Sequence, residues 1–383
     1  MFFLRERADI IQSEATKSKG DLETYRQALN TFVSGGNPYE ETVASYANLE
    51  SDPGDKGFAY PPFLLYLYAP AHAIHLYLQA NLPHYSFTER FYFDLFGLIA
   101  DAGVGIVLYL TLKRLRLSKL PILVSLIVWF MNPYIYKSHD YYANDIIVVF
   151  LTTLALYFSG IKKDQILSGF FLGLASATKT YPVLLFPAML YLTASQAPEK
   201  GLFLKLKASR SFIFTFVLPF VLMSIPFMAS LDSFSTYLHG AFLVQSERFV
   251  QGRPFLYYIS YFYKVEFLRM VPFNVYTFLA GLSGNIVLPC VLGLANRLSF
   301  VDRIKARLTI FNASTIILMC FCLFTPVLNR TYLLWLIPSV CISAFDLFRG
   351  KKAVFGFLIV TCFWIFYYAY ILPWKDGFHI WHP

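Results

Sequence analysis

The sequence predicts an all-α integral membrane protein with about ten transmembrane helices and further short helices at one membrane surface. Three observations lead there. The first is composition: 57% of the 383 residues are hydrophobic and only 14% are charged. A soluble domain of this size has too little interior to hide that much apolar surface, and a disordered chain would be far more polar. The second is a series of apolar segments of membrane-spanning length. The third is positive charge clustered between alternate segments.

The apolar segments lie near 90–112, 120–137, 145–161, 165–179, 182–195, 210–230, 272–296, 308–327, 331–347 and 353–373. Most reach the ~17 residues that cross a hydrocarbon layer about 30 Å thick. The pair 165–179 and 182–195 is short and breaks at Pro182. Short loops dense in positive charge face the cytoplasm. Lys113, Arg114, Arg116 and Lys119 form one such cluster, and Lys162 with Lys163 another. Lys200, Lys205, Lys207 and Arg210 follow, then Arg297, Arg303, Lys305 and Arg307, then Arg349, Lys351 and Lys352. Together they hold about half of the 32 basic residues. They alternate with basic-poor connections, so residues 1–89, the 231–271 loop and the C-terminus are expected outside. The organisation read this way is an outer region, 1–89, and a polytopic domain, 90–383. The net charge of +9 then reflects orientation, and a nucleic-acid partner is not expected. An outer region that long must be translocated, and Met1–Leu4 is too short for a signal core, so a further transmembrane helix is expected ahead of this chain. Cys290, Cys320, Cys322, Cys341 and Cys362 sit in apolar runs without zinc or disulfide spacing and read as small hydrophobes.

In the outer region, Leu22, Tyr25, Leu29, Phe32 and Val33 follow helical spacing. Asp21 stands where an N-cap would, and Gly35-Gly36 where the helix should stop. Pro61-Pro62 fit the first turn of a new helix. The stretch 63–82 is apolar but interrupted by His72, His75 and Gln79. Counting it as a span would reverse every later orientation, so it reads as an interfacial helix whose histidines are interfacial polar groups.

Several polar residues stand out in the remaining outer turns. Lys179 falls at the broken hairpin, where an ionisable group at membrane depth is a functional candidate, although a lysine there also snorkels to the interface. Arg330 lies in a turn followed by Tyr332 and Trp335, as a cation site or as an interfacial anchor. The 231–271 loop carries His239, Glu247, Arg248 and Arg253, and the turn before 145 carries His139, Asp140, Asn144 and Asp145. Asp145 opens a helix and also reads as its cap. His139 with Asp140 is half a metal site at most, and without a second cluster at ligand spacing no metal is expected. Asp101, inside an apolar run, reads as a packing or cavity residue. Gly169 and Gly173 suit close helix packing better than a phosphate loop. Tyr25, Tyr39, Tyr60 and Tyr332 are interfacial aromatics whose faces also suit sugar rings and prenyl chains.

Taken in order, these motifs resemble a known family. Asp21-x3-Tyr25, Asn37-Pro38-Tyr39 and Phe58-x-Tyr60-Pro61-Pro62-Phe63 resemble the first outer loop of GT-C fold glycosyltransferases. The closest likeness is to the prokaryotic branch that takes mannose from polyprenyl-phosphate-mannose. Asp101, Asn132-Pro133 with Asn144-Asp145, Gly169 through Pro182, and Asn329-Arg330-Thr331-Tyr332-Leu333-Leu334-Trp335-Leu336-Ile337-Pro338 extend the resemblance along most of the chain. The family also has a helix ahead of its Asp loop, which agrees with the helix expected from topology.

The resemblance implies an enzyme that needs no cofactor. Its partners would be a polyprenyl- or dolichyl-phosphate sugar, a lipid or glycan acceptor and the bilayer, with the active site outside a prokaryotic plasma membrane. Asp21 maps onto the catalytic base, and a carboxylate that deprotonates the incoming hydroxyl gives inversion. Lys179, Arg330, Arg248 and His239 are the candidates for the departing phosphate. Tyr25, Tyr60, Glu247, His139, Asp140, Asn144 and Asp145 are the candidates for sugar or acceptor. A carrier or flippase of lipid-linked sugars would also use broken helices and intramembrane charge, but it would favour an internal repeat, and none is evident.

Overall fold

A computed structural model describes residues 21–47, 57–132, 144–195, 204, 207–244, 251–252, 309–325, 327–329 and 331–371. The expected span at 272–296 and the basic cluster at 297–307 lie outside the described residues.

The described chain is almost entirely helical. Helix α1, Asp21–Val33, holds the expected acidic residue at its first described position. It ends before Gly35, whose positive φ of 85° favours glycine. Helix α2, Tyr39–Ala47, follows Asn37, whose side-chain oxygen accepts from the Tyr39 amide at 3.1 Å. Helix α3, Phe63–Asn81, starts immediately after Pro61-Pro62.

The apolar elements then appear in the expected order. Helix α4 is Glu89–Arg114, and α5 is Lys119–Phe130. Helix α6, Asp145–Tyr157, continues through a wide turn, Phe158–Lys162. Helix α7, Gln165–Thr178, is capped by Asp164, whose carboxylate accepts from the Leu167 amide at 3.0 Å. A tight turn at Tyr181–Leu185 leads into α8, Phe186–Ser195. Helix α9, Arg210–Ser224, runs on through Met228. Helix α10, Leu231–Leu238, is followed by a wide turn, His239–Leu243. Helices α11, Ile310–Phe324, α12, Leu336–Leu347, and α13, Ala353–Ile371, complete the series.

Three of these helices, Glu89–Arg114, Asp145–Lys162 and Arg210–Met228, are long and apolar enough to cross a membrane, and six shorter ones are apolar. Their outward faces keep large apolar side chains exposed: Ile99 and Ile106 on α4, Phe214 and Leu222 on α9, Leu358 and Ile365 on α13. Water would penalise such a surface, whereas lipid tails cover it without cost. The protein is a helical membrane protein.

Close packing of α7 on α9 depends on two glycines one turn apart. A Cβ on Gly169 would lie 2.4 Å from the Phe212 carbonyl oxygen, and one on Gly173 would lie 2.4 Å from that of Phe216. Only glycine permits that approach, which holds the broken hairpin against its neighbour. A short parallel ladder pairs Gln251–Gly252, β1, with Val327–Leu328, β2, and ties the 231–271 loop to the late turn.

Candidate active site

The break after α7 places the first functional side chain. The helix ends at Thr178, and Lys179 turns extended, with φ −154° and ψ 143°. Pro182 in the next turn has no amide hydrogen with which to extend α7. Lys179 is therefore presented at the corner of the hairpin.

Its ammonium is held from several sides. Lys179 Nζ donates to Asp145 Oδ1 at 2.8 Å, and the Trp335 indole Nε1 donates to the same oxygen at 2.8 Å. The rings of Tyr332, Trp335 and Tyr60 lie 5.1, 5.4 and 5.7 Å from Nζ. Tyr181 stacks on Trp335 with centroids 3.4 Å apart, and Tyr332 lies over Trp335 at 4.1 Å. The Lys179 side chain is 13% exposed and that of Asp145 is 5% exposed. Charges this dry survive only when paired and hydrogen-bonded, which the second donor on Asp145 Oδ1 and the three ring faces provide. An ammonium has three N–H donors, and one serves Asp145. Among the described residues no other acceptor meets it, which leaves two N–H groups for an anionic oxygen brought to this corner.

The cluster draws on four connections that are remote in sequence: Tyr60, Asp145, Lys179 with Tyr181, and Tyr332 with Trp335. The charge rule assigns all four to the same membrane face. Their meeting in three dimensions fits that alternation.

Helix α1 reaches the same place through aromatic contacts. Tyr25, one turn after Asp21, packs edge-on against Phe58 and Tyr60 with centroids 6.0 Å away, and tilted against Tyr68 at 6.2 Å. Tyr60 in turn lies over Lys179. The Tyr39 hydroxyl donates to the Tyr60 carbonyl at 2.9 Å, which fixes that residue's backbone. Asn37 donates to the Ser233 carbonyl at 3.1 Å and so joins this loop to α10. Asp21 thus stands about 6 Å along the helix axis from a tyrosine that contacts the Lys179 cage.

The structure therefore brings together Tyr25, Tyr60, Asp145 and Lys179 among the sequence candidates. Asn144, immediately before Asp145, is buried. His239 opens the wide turn His239–Leu243 beside α2, where Gly240 sits against Tyr39. Arg330, Arg248, Glu247, His139 and Asp140 lie outside the described residues. Among the described residues no cluster of three or more His, Cys, Asp or Glu could hold a metal ion.

Three expectations change. Asp145 does more than begin a helix, since its carboxylate receives both Lys179 and Trp335. His72 and His75 are not interfacial groups: they are 1% and 7% exposed, respectively, and both face Glu89. Tyr25, Tyr39 and Tyr332, read as interfacial aromatics, are likewise buried. Trp335 was visible only as part of a motif. Its role depends on an indole donor meeting a carboxylate 190 positions earlier, which no local pattern reveals.

Residues 58–326, more than half of the 383, match glycosyltransferase family 87. The chain belongs to that family. The matched range holds Tyr60, Asp145 and Lys179, while Asp21, Tyr332 and Trp335 lie beyond it. This family 87 protein is also similar to two named relatives. It is 24% identical to GPI mannosyltransferase 1 of Debaryomyces hansenii over 294 residues, 72% of this chain and 69% of that protein. It is 29% identical to GPI mannosyltransferase 1 of Candida albicans over 132 residues, 34% of this chain and 32% of that protein. A helical membrane glycosyltransferase accounts for the fold, the family and the polar corner together.

Proposed function

We propose that the protein is an inverting GT-C fold glycosyltransferase with about ten transmembrane helices, acting at the outer face of a prokaryotic plasma membrane. It moves a hexose, mannose in this reading, from a polyprenyl- or dolichyl-phosphate donor to a hydroxyl of a lipid or glycan acceptor. The 1–89 region forms the outer catalytic loop over the 90–383 domain. The observation that carries the proposal is the dry corner where Lys179, Asp145, Tyr60, Tyr332 and Trp335 meet beside α1. The two relatives named as mannosyltransferases support the choice of mannose.

The chemistry follows from the donor. A sugar on a lipid phosphate already carries a good leaving group. Asp21 takes the proton of the acceptor hydroxyl, whose oxygen attacks the anomeric carbon. The bond from that carbon to the phosphate oxygen breaks, and the departing phosphate keeps the electron pair. Lys179, with the two N–H groups that meet no acceptor among the described residues, receives the phosphate where low dielectric strengthens the contact. Arg330, Arg248 and His239 share that task. Tyr25, Tyr60, Asn144, Asp145, Glu247, His139 and Asp140 bound the sugar and the acceptor.

The test uses purified protein in proteoliposomes with radiolabelled polyprenyl-phosphate mannose and a membrane lipid extract. Label in a new covalent product supports the proposal. Label that crosses the bilayer still attached to its polyprenyl phosphate would point to a carrier instead.

A further inference from the structure

We infer that His72 and Glu89 form a positioning bridge for α1, the helix that carries Asp21, and thereby set the rate of transfer without touching substrate. The inference rests on the reading of Asp21 as the base.

Three elements meet at His72. The imidazole Nδ1 lies 2.8 Å from Glu89 Oε1, the first residue of α4. Its Nε2 lies 2.9 Å from Asn30 Oδ1 on α1. Both ring nitrogens of one side chain on α3 are thus committed, one to the membrane domain and one to the outer helix. His75, one turn on, stands 4.0 Å from the same Glu89 oxygen through Nε2 and 3.2 Å from the Tyr85 hydroxyl through Nδ1. The Tyr85 hydroxyl donates to that of Tyr92 on α4 at 2.8 Å. His72 is 1% exposed and Glu89 is 5% exposed, so the His72–Glu89 contact is dry, while Asn30 at the α1 end is exposed.

A polar bridge of this kind is not a cheap way to hold helices together. A buried carboxylate and imidazole gain little over apolar side chains of the same shape. What directional hydrogen bonds add is register. Leu22, Tyr25, Ala28 and Leu29 also bury α1 by apolar and aromatic contact, and the exposed Arg26 lies within the field of Glu89; such contacts resist separation more than sliding or rotation. Asn30 lies nine positions from Asp21, about 14 Å along a rigid helix, so a shift at the bridge is passed to the start of α1. General-base catalysis is sensitive to that shift, because a misplacement near 1 Å costs about 100-fold in rate.

The experiment measures transfer from polyprenyl-phosphate mannose into a membrane lipid extract with the full chain in nanodiscs, alongside hydrogen exchange of the α1 amides. His72→Leu is expected to lower kcat by about 10- to 100-fold, to leave donor KM within about threefold, and to speed exchange in α1. His72→Gln, which keeps a donor and an acceptor, is expected to recover the larger part of kcat. Asn30→Leu breaks only the α1 end of the bridge and serves if His72→Leu does not fold. It should reproduce both the kcat loss and the faster α1 exchange. Unchanged kcat or unchanged α1 exchange in the folded variants would overturn the inference, as would a loss confined to KM. Wild-type turnover by Asp21→Asn would instead remove the base assignment, and α1 exchange would still decide whether the bridge positions that helix.

Discussion

Replacing Asp145 by Asn isolates the electrostatic core of the site. Asparagine keeps the shape and leaves a carbonyl for the Trp335 indole, but removes the charge that faces Lys179. At 2.8 Å the pair attracts by about 6 kcal/mol at an effective dielectric near 20. Much of that is offset by the desolvation of both ions, so the pair itself adds little. Removing one partner is another matter, because the other charge is left buried, at a typical cost of 3–5 kcal/mol. Lys179 is 13% exposed and keeps its three aromatic faces, which places the expected loss near the lower end, about 3 kcal/mol. The assay is unfolding in mixed micelles for Asp145→Asn, Lys179→Met and the double variant. The double variant should lose less than the sum of the singles, with a coupling of at least ~1.5 kcal/mol. Additivity within ~0.5 kcal/mol would refute the claim that these two charges form one unit.

Three further outcomes follow from other contacts. Trp335→Phe keeps the stack on Tyr181 but loses the donor to Asp145, and should cost about 1.5–3 kcal/mol in the same unfolding assay. Gly173→Val drives its side chain into the Phe216 carbonyl, so α7 and α9 must part; a loss of at least about 1–3 kcal/mol is expected, and an unchanged melting temperature would contradict the close approach. Burial lowers the pKa of His75 from its usual 6.5, while Glu89 opposes the shift and His72 and Arg26 add to it. The unfolded chain therefore binds more protons below 6.5, so this contribution to stability is present above that pH and lost as pH falls through the folded value. Amide protection factors at the junction of α1, α3 and α4, which remove the intrinsic pH dependence of exchange, should fall between about pH 7.5 and pH 5.5, and protection factors unchanged over that range would count against it.

Much of the architecture was legible because membrane segments announce themselves through length and apolarity. The broken hairpin at Pro182, the start of α3 after Pro61-Pro62 and the glycine contact of α7 with α9 all follow from local chemistry. The charge rule even anticipated which connections would share a face, and Lys179 met Asp145 there. The His72–Glu89 bridge was not legible. Glu89 stands at the edge of the expected span, where a lone acid reads as interfacial, and its partner is 17 positions away on another helix. Trp335 was hidden for the same reason, since indoles near membrane surfaces are ordinarily anchors. Local periodicity reports which face of an element is apolar, not which polar groups will find each other once elements pack.

The central claim is that Asp21 at the head of α1 removes the proton of the acceptor as the sugar leaves its lipid phosphate. The most direct measurement is single-turnover transfer from radiolabelled polyprenyl-phosphate mannose by Asp21→Asn, with donor binding followed in parallel. The account predicts transfer slowed by at least about 100-fold with donor binding retained. Transfer at the wild-type rate would contradict it.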